Sequence, residues 1–307
     1  MHNYSRRQFL RSSSVLAAAY VGGTAFTAKK TLPPLSFSTL GCPGWNFEQI
    51  VDFAAAHGYR GIELRGIQKE LELDKCKEFS SAQNISATLA LLKQRGLKFI
   101  DFGASCNLHT AEAVERKKNI DEAKRFIDLA QQAGCPFVRV FPNNLPKDGD
   151  KQVTIDLITN GLIELGDYAK NTNVTVLMET HGDLVHSNDL EKIMQRASQT
   201  QTGLVWDITN MWTITKEPPA AVYGKLKKYI HHAHIKDAKL LPDGKVEYVL
   251  LGQGDVPIFE AIDLLYNSGY KGYYSFEWEK LWHPEIAEPE IALADYPLAI
   301  KKHFDKK

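Results

Sequence analysis

From residue 33 onward, short apolar runs alternate with longer stretches in which apolar residues recur every three or four positions. The short runs read as buried strands and the longer ones as amphipathic helices. Strands are predicted over 35–40, 61–65, 98–102, 137–141, 174–179, 204–207, 230–235 and 273–278. Helices are predicted over 47–57, 82–96, 112–134, 153–171, 190–199, 218–228, 258–268 and 293–304, with an inserted helical excursion over 69–79. Gly58, Gly96 and Gly269 stop three of these helices, and prolines open the one at 218. In the helix over 112–134, Ile120, Ala123, Phe126, Ile127 and Ala130 share one face.

Eight strands, each followed by a helix, predict a parallel sheet. No G-x-G-x-x-G follows the first strand, so a closed barrel is expected rather than an open doubly wound sheet. The predicted fold is α/β: a single (β/α)8 TIM barrel over 31–307, preceded by an N-terminal signal segment over 1–30.

That segment is set apart by its own pattern. Ser5-Arg6-Arg7-Gln8-Phe9-Leu10-Arg11 matches a twin-arginine export signal and leads into a weakly apolar run over 14–26, rich in Ala and Gly. The run is too short and too Gly-rich for a stable membrane span. Cleavage is expected between Thr24 and Lys30, giving a periplasmic or otherwise exported protein. Cys42, Cys76, Cys106 and Cys135 form no C-x-x-C pair. An exported protein permits a disulfide without specifying one, and Cys135 before Pro136 reads as a buried hydrophobe. The 307 residues carry zero formal net charge, which removes bulk electrostatics as a reason to bind nucleic acid.

The chemistry gathers at the predicted strand ends. In His231-His232-Ala233-His234-Ile235-Lys236-Asp237, strand alternation puts His232, His234 and Lys236 on one face. Either this is an edge strand with solvated histidines, or a metal or an anionic substrate compensates the buried polar face. Glu179, Asp207, His234 and Glu277 end four different strands. In a barrel those ends meet at one mouth. Three carboxylates and one imidazole there would repel and desolvate one another without a cation. The set suits Mn²⁺, Mg²⁺, Co²⁺ or Zn²⁺ in an open geometry, and the absence of cysteine disfavours a closed structural zinc site.

The segments 176–179, Trp206-Asp207-Ile208-Thr209-Asn210, His234-Ile235-Lys236-Asp237 and Ser275-Phe276-Glu277-Trp278-Glu279 resemble the strand ends of the xylose-isomerase-like barrel superfamily. That group includes sugar-phosphate isomerases and epimerases, ketose 3-epimerases, inosose dehydratases and endonuclease IV. The resemblance implies that Glu179, Asp207, His234 and Glu277 are the metal ligands. It places Glu179 and Glu277 on opposite sides of the substrate carbon as the proton-moving residues. A divalent ion with free positions would hold two neighbouring oxygens of a hydroxy-ketone and stabilise the enediolate formed on proton loss.

The implied activity is that of a metal-dependent sugar isomerase or epimerase acting on a keto-sugar or polyol. The same first step, in an exported protein, also serves a keto-glycoside lyase or dehydratase. A barrel that binds sugar without catalysis is a third reading, and the complete quartet argues against it. An endonuclease would need more histidines and a basic groove. The expected partner is a small carbohydrate, with further copies of the chain if it forms a homo-oligomer, and no nucleic acid.

Candidate substrate-binding residues are His181, Asn210, Lys236, Arg139, Glu63, His109 and Trp212. Each has a structural alternative. His181 could orient a ligand. Lys236 could pair with Asp237, and Arg139, Glu63 and Arg65 could form salt bridges inside the mouth. His109 could be a solvated loop residue. Trp45, Phe141, Trp212, Trp278 and Trp282 offer aromatic faces for sugar C–H groups or pack in the core.

Overall fold

A computed structural model describes residues 31–306, so the signal-segment expectation over 1–30 lies outside the described residues. The strands are β1 (Leu35–Ser38), β2 (Gly61–Leu64), β3 (Lys98–Asn107), β4 (Phe137–Phe141), β5 (Thr175–Glu179), β6 (Thr202–Asp207), β7 (Ile230–Ile235), β8 (Asp237–Leu240), β9 (Val246–Val249) and β10 (Tyr274–Phe276). All but β8 and β9 close into a parallel barrel in the order β1-β10-β7-β6-β5-β4-β3-β2. The helices are α1 (Phe47–Ala56), α2 (Ala82–Gln94), α3 (Ala113–Ala133), α4 (Lys151–Tyr168), α5 (Ser187–Arg196), α6 (Ile208–Thr215), α7 (Pro219–Leu226), α8 (Ile258–Asn267) and α9 (Pro289–Asp305). Among the described residues, no helix is long and apolar enough to cross a membrane.

Local chemistry sets the helix ends. Asn46 and Gln49 exchange side-chain and backbone hydrogen bonds in a capping box at the start of α1. Ser81 caps α2, and Gly134 ends α3 with φ 64°, in the left-handed region that costs glycine nothing. Helices cover the outside of the barrel, so the outward strand residues are apolar. Phe37 meets Tyr59 edge-on at 4.8 Å, and Phe276 stacks on Tyr296 at 4.6 Å. The inner face differs: Glu63, Asp101, Arg139, Glu179, Asp207, His232, His234, Ser275 and Glu277 are all buried.

β7 pairs with β6 on one side and β10 on the other, so the edge-strand alternative for its histidines does not hold. β3 runs on to Asn107 instead of stopping at 102, because its register shifts between Gly103 and Asn107 over small residues that read as loop in sequence. The excursion over 69–79 resolves into two 3-10 turns, Leu73–Lys75 and Lys77–Phe79. Two elements had no counterpart in the sequence reading. One is α6, directly after β6; the other is the antiparallel hairpin β8–β9, directly after β7. All four cysteines are buried and unpaired, and Cys135 is a core residue as expected.

Candidate metal centre

Glu179 ends β5, Asp207 ends β6, His234 lies one residue before the end of β7, and Glu277 follows β10. Parallel register brings these adjacent strand ends to one level: Glu179 pairs with Val205, Asp207 with His234, and His234 with Ser275. Their donor atoms lie within 4.8 Å of one another, and all four residues are buried. His234 Nδ1 faces Glu277 Oε2 at 3.2 Å, Glu179 Oε1 at 3.6 Å and Asp207 Oδ2 at 3.9 Å.

Each donor is held from behind. Asp207 is also the N-cap of α6: its Oδ1 accepts from the Asn210 amide at 2.8 Å, which leaves Oδ2 toward the site. The Asp207 amide donates to Thr180 Oγ1 at 2.9 Å. Arg139 Nε stands 3.1 Å from Glu179 Oε2 in an ion pair, while its Nη1 donates to the Ala104 carbonyl. That guanidinium lies over the Phe141 ring at 3.9 Å. A Cβ at Gly103 would come within 2.7 Å of Arg139 Nη2 and 2.9 Å of Arg65 Cδ, so glycine makes room for both arginines. His234 Nε2 donates to Glu63 Oε2 at 3.1 Å.

Lys236 is buried among acids, with Nζ 2.8 Å from Asp207 Oδ2, 2.7 Å from Glu277 Oε2 and in contact with Glu279 Oε1. Burial opposes its charge, but the carboxylates of Asp207, Glu277 and Glu279 hold its pKa well above the ordinary lysine value. Burial lifts the Asp207 carboxyl to about 7; Lys236 opposes this, and Glu277 and Glu179 reinforce it. Burial also works against Glu277, yet His234 and Lys236 keep its carboxyl below the usual range. His234 is pushed well above an ordinary imidazole, since Glu277 and Glu63 outweigh the cost of its burial.

This electrostatic picture tests whether a cation fits. His234 Nδ1, Glu179 Oε2 and Asp207 Oδ2 are buried and meet only the ion-pair contacts given above, without hydrogen bonds of good geometry among the described residues. Three carboxylates and one imidazole nitrogen converge where Arg139, Lys236 and a protonated His234 offset them. An oxygen-rich set with one nitrogen suits a divalent cation.

The other sequence candidates fall into four groups. His181 and Asn210 are half-buried at the mouth, and His181 Nδ1 lies 2.8 Å from Asn143 Oδ1 with its ring against Phe141. Lys236 and Arg139 touch the quartet directly. Glu63 lies fully buried beneath it, bonded to His232, His234 and Ser275, in a position to support the site and not to meet substrate. Trp212 is half-buried on α6 with Lys216 Nζ 3.8 Å over its ring, and His109 is a half-buried loop residue whose Nδ1 has no partner. Burial lowers the His109 pKa.

Among the aromatics, Trp278 belongs to the core, stacked on Phe276 and donating to the Ala287 carbonyl. Trp45 packs on Phe53 of α1, and Trp282 is exposed. Asp237 does not pair with Lys236. It accepts from the amides of Ala238, Gly252 and Gly254, tying down the loop after the hairpin.

Sequence reasoning missed Asn107, which touches Asn143, and Tyr248 on the hairpin, 5.5 Å from Lys236 Nζ. It also left Glu279 outside the site, although Glu279 contacts Lys236. Asn107 was hidden by the early end assigned to β3. Tyr248 was hidden because the hairpin went unrecognised: 246–249 is too short and too irregular in its apolar pattern to mark a strand.

A parallel eight-stranded barrel with an acidic, histidine-containing mouth defines a class. Residues 51–295 match the xylose isomerase-like TIM barrel family, and the chain belongs to it. It is 22% identical over 235 residues to the fructoselysine 3-epimerase of Shigella flexneri, covering 73% of this chain and 82% of that one. It is 23% identical over 292 residues to the inosose dehydratase of Bacillus cereus strain AH820, covering 85% and 89%. Among solved structures, the IOLI protein with a bound zinc atom superposes with a TM-score of 0.74 at 18% identity, covering 89% of this chain and 98% of that one. That likeness carries the fold.

Proposed function

We propose that this protein is a divalent-metal-dependent sugar isomerase or epimerase that enolises a keto-sugar or a ketone derived from a polyol. The observation that carries the reading is the buried convergence of Glu179, Asp207, His234 and Glu277 at one end of the barrel. The epimerase and dehydratase relatives support it, because removal of a proton beside a carbonyl opens both kinds of reaction.

The four residues would hold the ion, which when bound supplies Lewis acidity at the substrate's carbonyl oxygen. Glu179 and Glu277 are the proton-moving groups in this reading. One removes the proton beside the carbonyl and the other returns it. Arg139 pairs with Glu179 and Lys236 with Glu277; the residue that removes a proton enters the cycle ionised, and the one that returns a proton enters it protonated. His181, Asn210 and Trp212 are half-buried around the opening, where sugar hydroxyls and C–H faces would meet them. Return of the proton on the opposite face gives an epimer, and return at the neighbouring carbon gives an isomer. Loss of a β-oxygen gives dehydration or release of a glycoside.

Charge bears on the substrate. Glu63, Glu179, Asp207, Glu277 and Glu279 are set against Arg65, Arg139 and Lys236, and a divalent ion would bring the site to neutrality. A neutral sugar leaves that balance undisturbed, whereas an anionic one would upset it. An exported location, read from the twin-arginine pattern, also favours free or glycosidically linked sugars over sugar phosphates. The test is to incubate metal-loaded mature protein with free keto-sugars and 3-keto-glycosides and identify products by NMR. An epimer, isomer or elimination product that disappears with chelator supports the reading. Metal-bound protein that turns over none of them moves the assignment to a sugar-binding barrel.

A further inference from the structure

Beneath the quartet, donors from two strands converge on a single oxygen. Glu63 Oε2 accepts from His232 Nε2 at 2.9 Å, His234 Nε2 at 3.1 Å and Ser275 Oγ at 2.9 Å. All four residues are completely buried. Glu63 is on β2 and the histidines are on β7, with β1 and β10 between them, so the carboxylate reaches across the barrel interior. We infer that Glu63 is a positioning residue that fixes the tautomer and orientation of His234 for the ion; this rests on the metal reading above.

An ionised carboxylate can only accept, so the nitrogens facing it, His232 Nε2 and His234 Nε2, carry the protons. To ligate an ion, His234 must give up one proton, and the neutral imidazole then has a single N–H. With that proton on Nε2, His234 Nδ1 presents its lone pair toward Glu179, Asp207 and Glu277. The opposite tautomer would set a lone pair against Glu63 and aim a proton at the position of the cation. Hydrogen bonds of this kind to a ligating imidazole both orient the ring and raise its basicity.

His232 completes the arrangement. Its ring stands 5.4 Å from that of His234 at 85°, so two nearly perpendicular imidazoles meet one oxygen and neither can turn without losing its bond. The carboxylate is costly where it is. Its ion-pair partners among the described residues are the two histidines alone, with no arginine or lysine within reach. An apolar side chain would fill that position at lower cost, so stability alone does not account for a glutamate there.

The same trio could instead hold a second ion of its own. However, Ser275 Oγ donates to the same Glu63 oxygen as the two imidazoles, and three donors on one acceptor favour a clamp.

The test compares wild type with Glu63→Gln. Zinc affinity is measured by competition with a chromophoric chelator, and the histidine tautomers of the zinc-loaded protein by long-range ¹H–¹⁵N NMR. The expected result is a wild-type His234 protonated on Nε2. In Glu63→Gln, zinc should bind about 10- to 100-fold more weakly, and the hydrogen-bonded Nε2–H signal should move upfield as the acceptor loses its charge. A Glu63→Gln protein that binds zinc as tightly as wild type overturns the inference, as does a wild-type His234 protonated on Nδ1. A second equivalent of zinc per chain, removed by Glu63→Gln, also overturns it in favour of a second ion site. If Glu63→Gln does not fold, the wild-type tautomer decides alone. Wild type that binds no zinc at all overturns the metal reading itself, and this inference with it.

Discussion

Lys236 Nζ lies 2.7 Å from Glu277 Oε2, the same oxygen that faces His234 Nδ1 at 3.2 Å. The lysine therefore stands against the carboxylates of the quartet whether or not an ion is bound, and it compensates them when no ion is there. Removing one partner of a buried charge cluster costs about 3–5 kcal/mol, because the remaining charges are left unpaired. Lys236→Met is expected to lose about that much stability in chelator, and to regain most of it when a divalent ion is added. Urea unfolding with and without Mn²⁺ checks this. Equal losses under both conditions would show that the lysine and the ion do not share one set of carboxylates.

Chelation of the wild-type protein should lower its melting temperature. An ion at 100 times its dissociation constant stabilises the folded state by about 2.7 kcal/mol. In a chain of this size that corresponds to a shift of roughly 4–5 °C. Calorimetry before and after chelation measures it, and Asp207→Asn should abolish the difference. A melting temperature unmoved by any divalent ion would contradict a metal at this site.

The pH dependence of stability has a specific source in Asp101. This side chain is buried beside Glu63 in the strand register, and neither of its carboxylate oxygens has a hydrogen-bond partner. Burial, reinforced by the charge of Glu63, pushes its carboxyl from 3.8 up to about 8. The folded value lies above the unfolded one, so the folded state binds the extra proton. The stability Asp101 contributes is complete below about pH 4 and is lost as pH rises toward 8. The slope from this one group is at most about 1.4 kcal/mol per pH unit. Asp101→Asn should therefore gain on wild type steadily from pH 5 to pH 8 in urea titrations. Parallel curves would show that the Asp101 proton does not change on unfolding.

The leader yields a prediction of its own. Replacing Arg6 and Arg7 by lysines should hold the full-length precursor in the cytoplasm of a bacterial host with twin-arginine transport, and wild type should appear in the periplasm. Fractionation and immunoblotting distinguish the two. Equal export of both forms would remove the twin-arginine reading.

Much of the barrel was legible because its strands are short, apolar and separated by capped helices. β4 and β7 end where the hydrophobic pattern ends. The pattern failed where polarity and structure part company. Gly103 to Asn107 looks like loop because its residues are small, yet it continues β3 through a bulge. Ile208 to Thr215 carries no predicted element, but Asp207 caps it into a helix. The candidate quartet could be read from strand ends, since parallel register brings such ends together, with the family resemblance choosing Glu277 over Glu279. Partners that act across the barrel had no signal in sequence. Glu63 and His234 are 171 positions apart, and only closure of the sheet makes them neighbours. Glu279 looked peripheral because its contact with Lys236 depends on how the segment after β10 folds back.

The most direct test of the account is solvent deuterium exchange. Metal-loaded wild type and Glu277→Gln would be incubated in D₂O with each ketone of the substrate panel and followed by NMR. The account predicts deuterium at the carbon beside the carbonyl with wild type, slowed by roughly 10²–10⁴-fold in Glu277→Gln. Exchange that proceeds equally in both proteins would contradict the role of Glu277. No exchange with any ketone, from protein that holds its metal, would contradict enolisation itself.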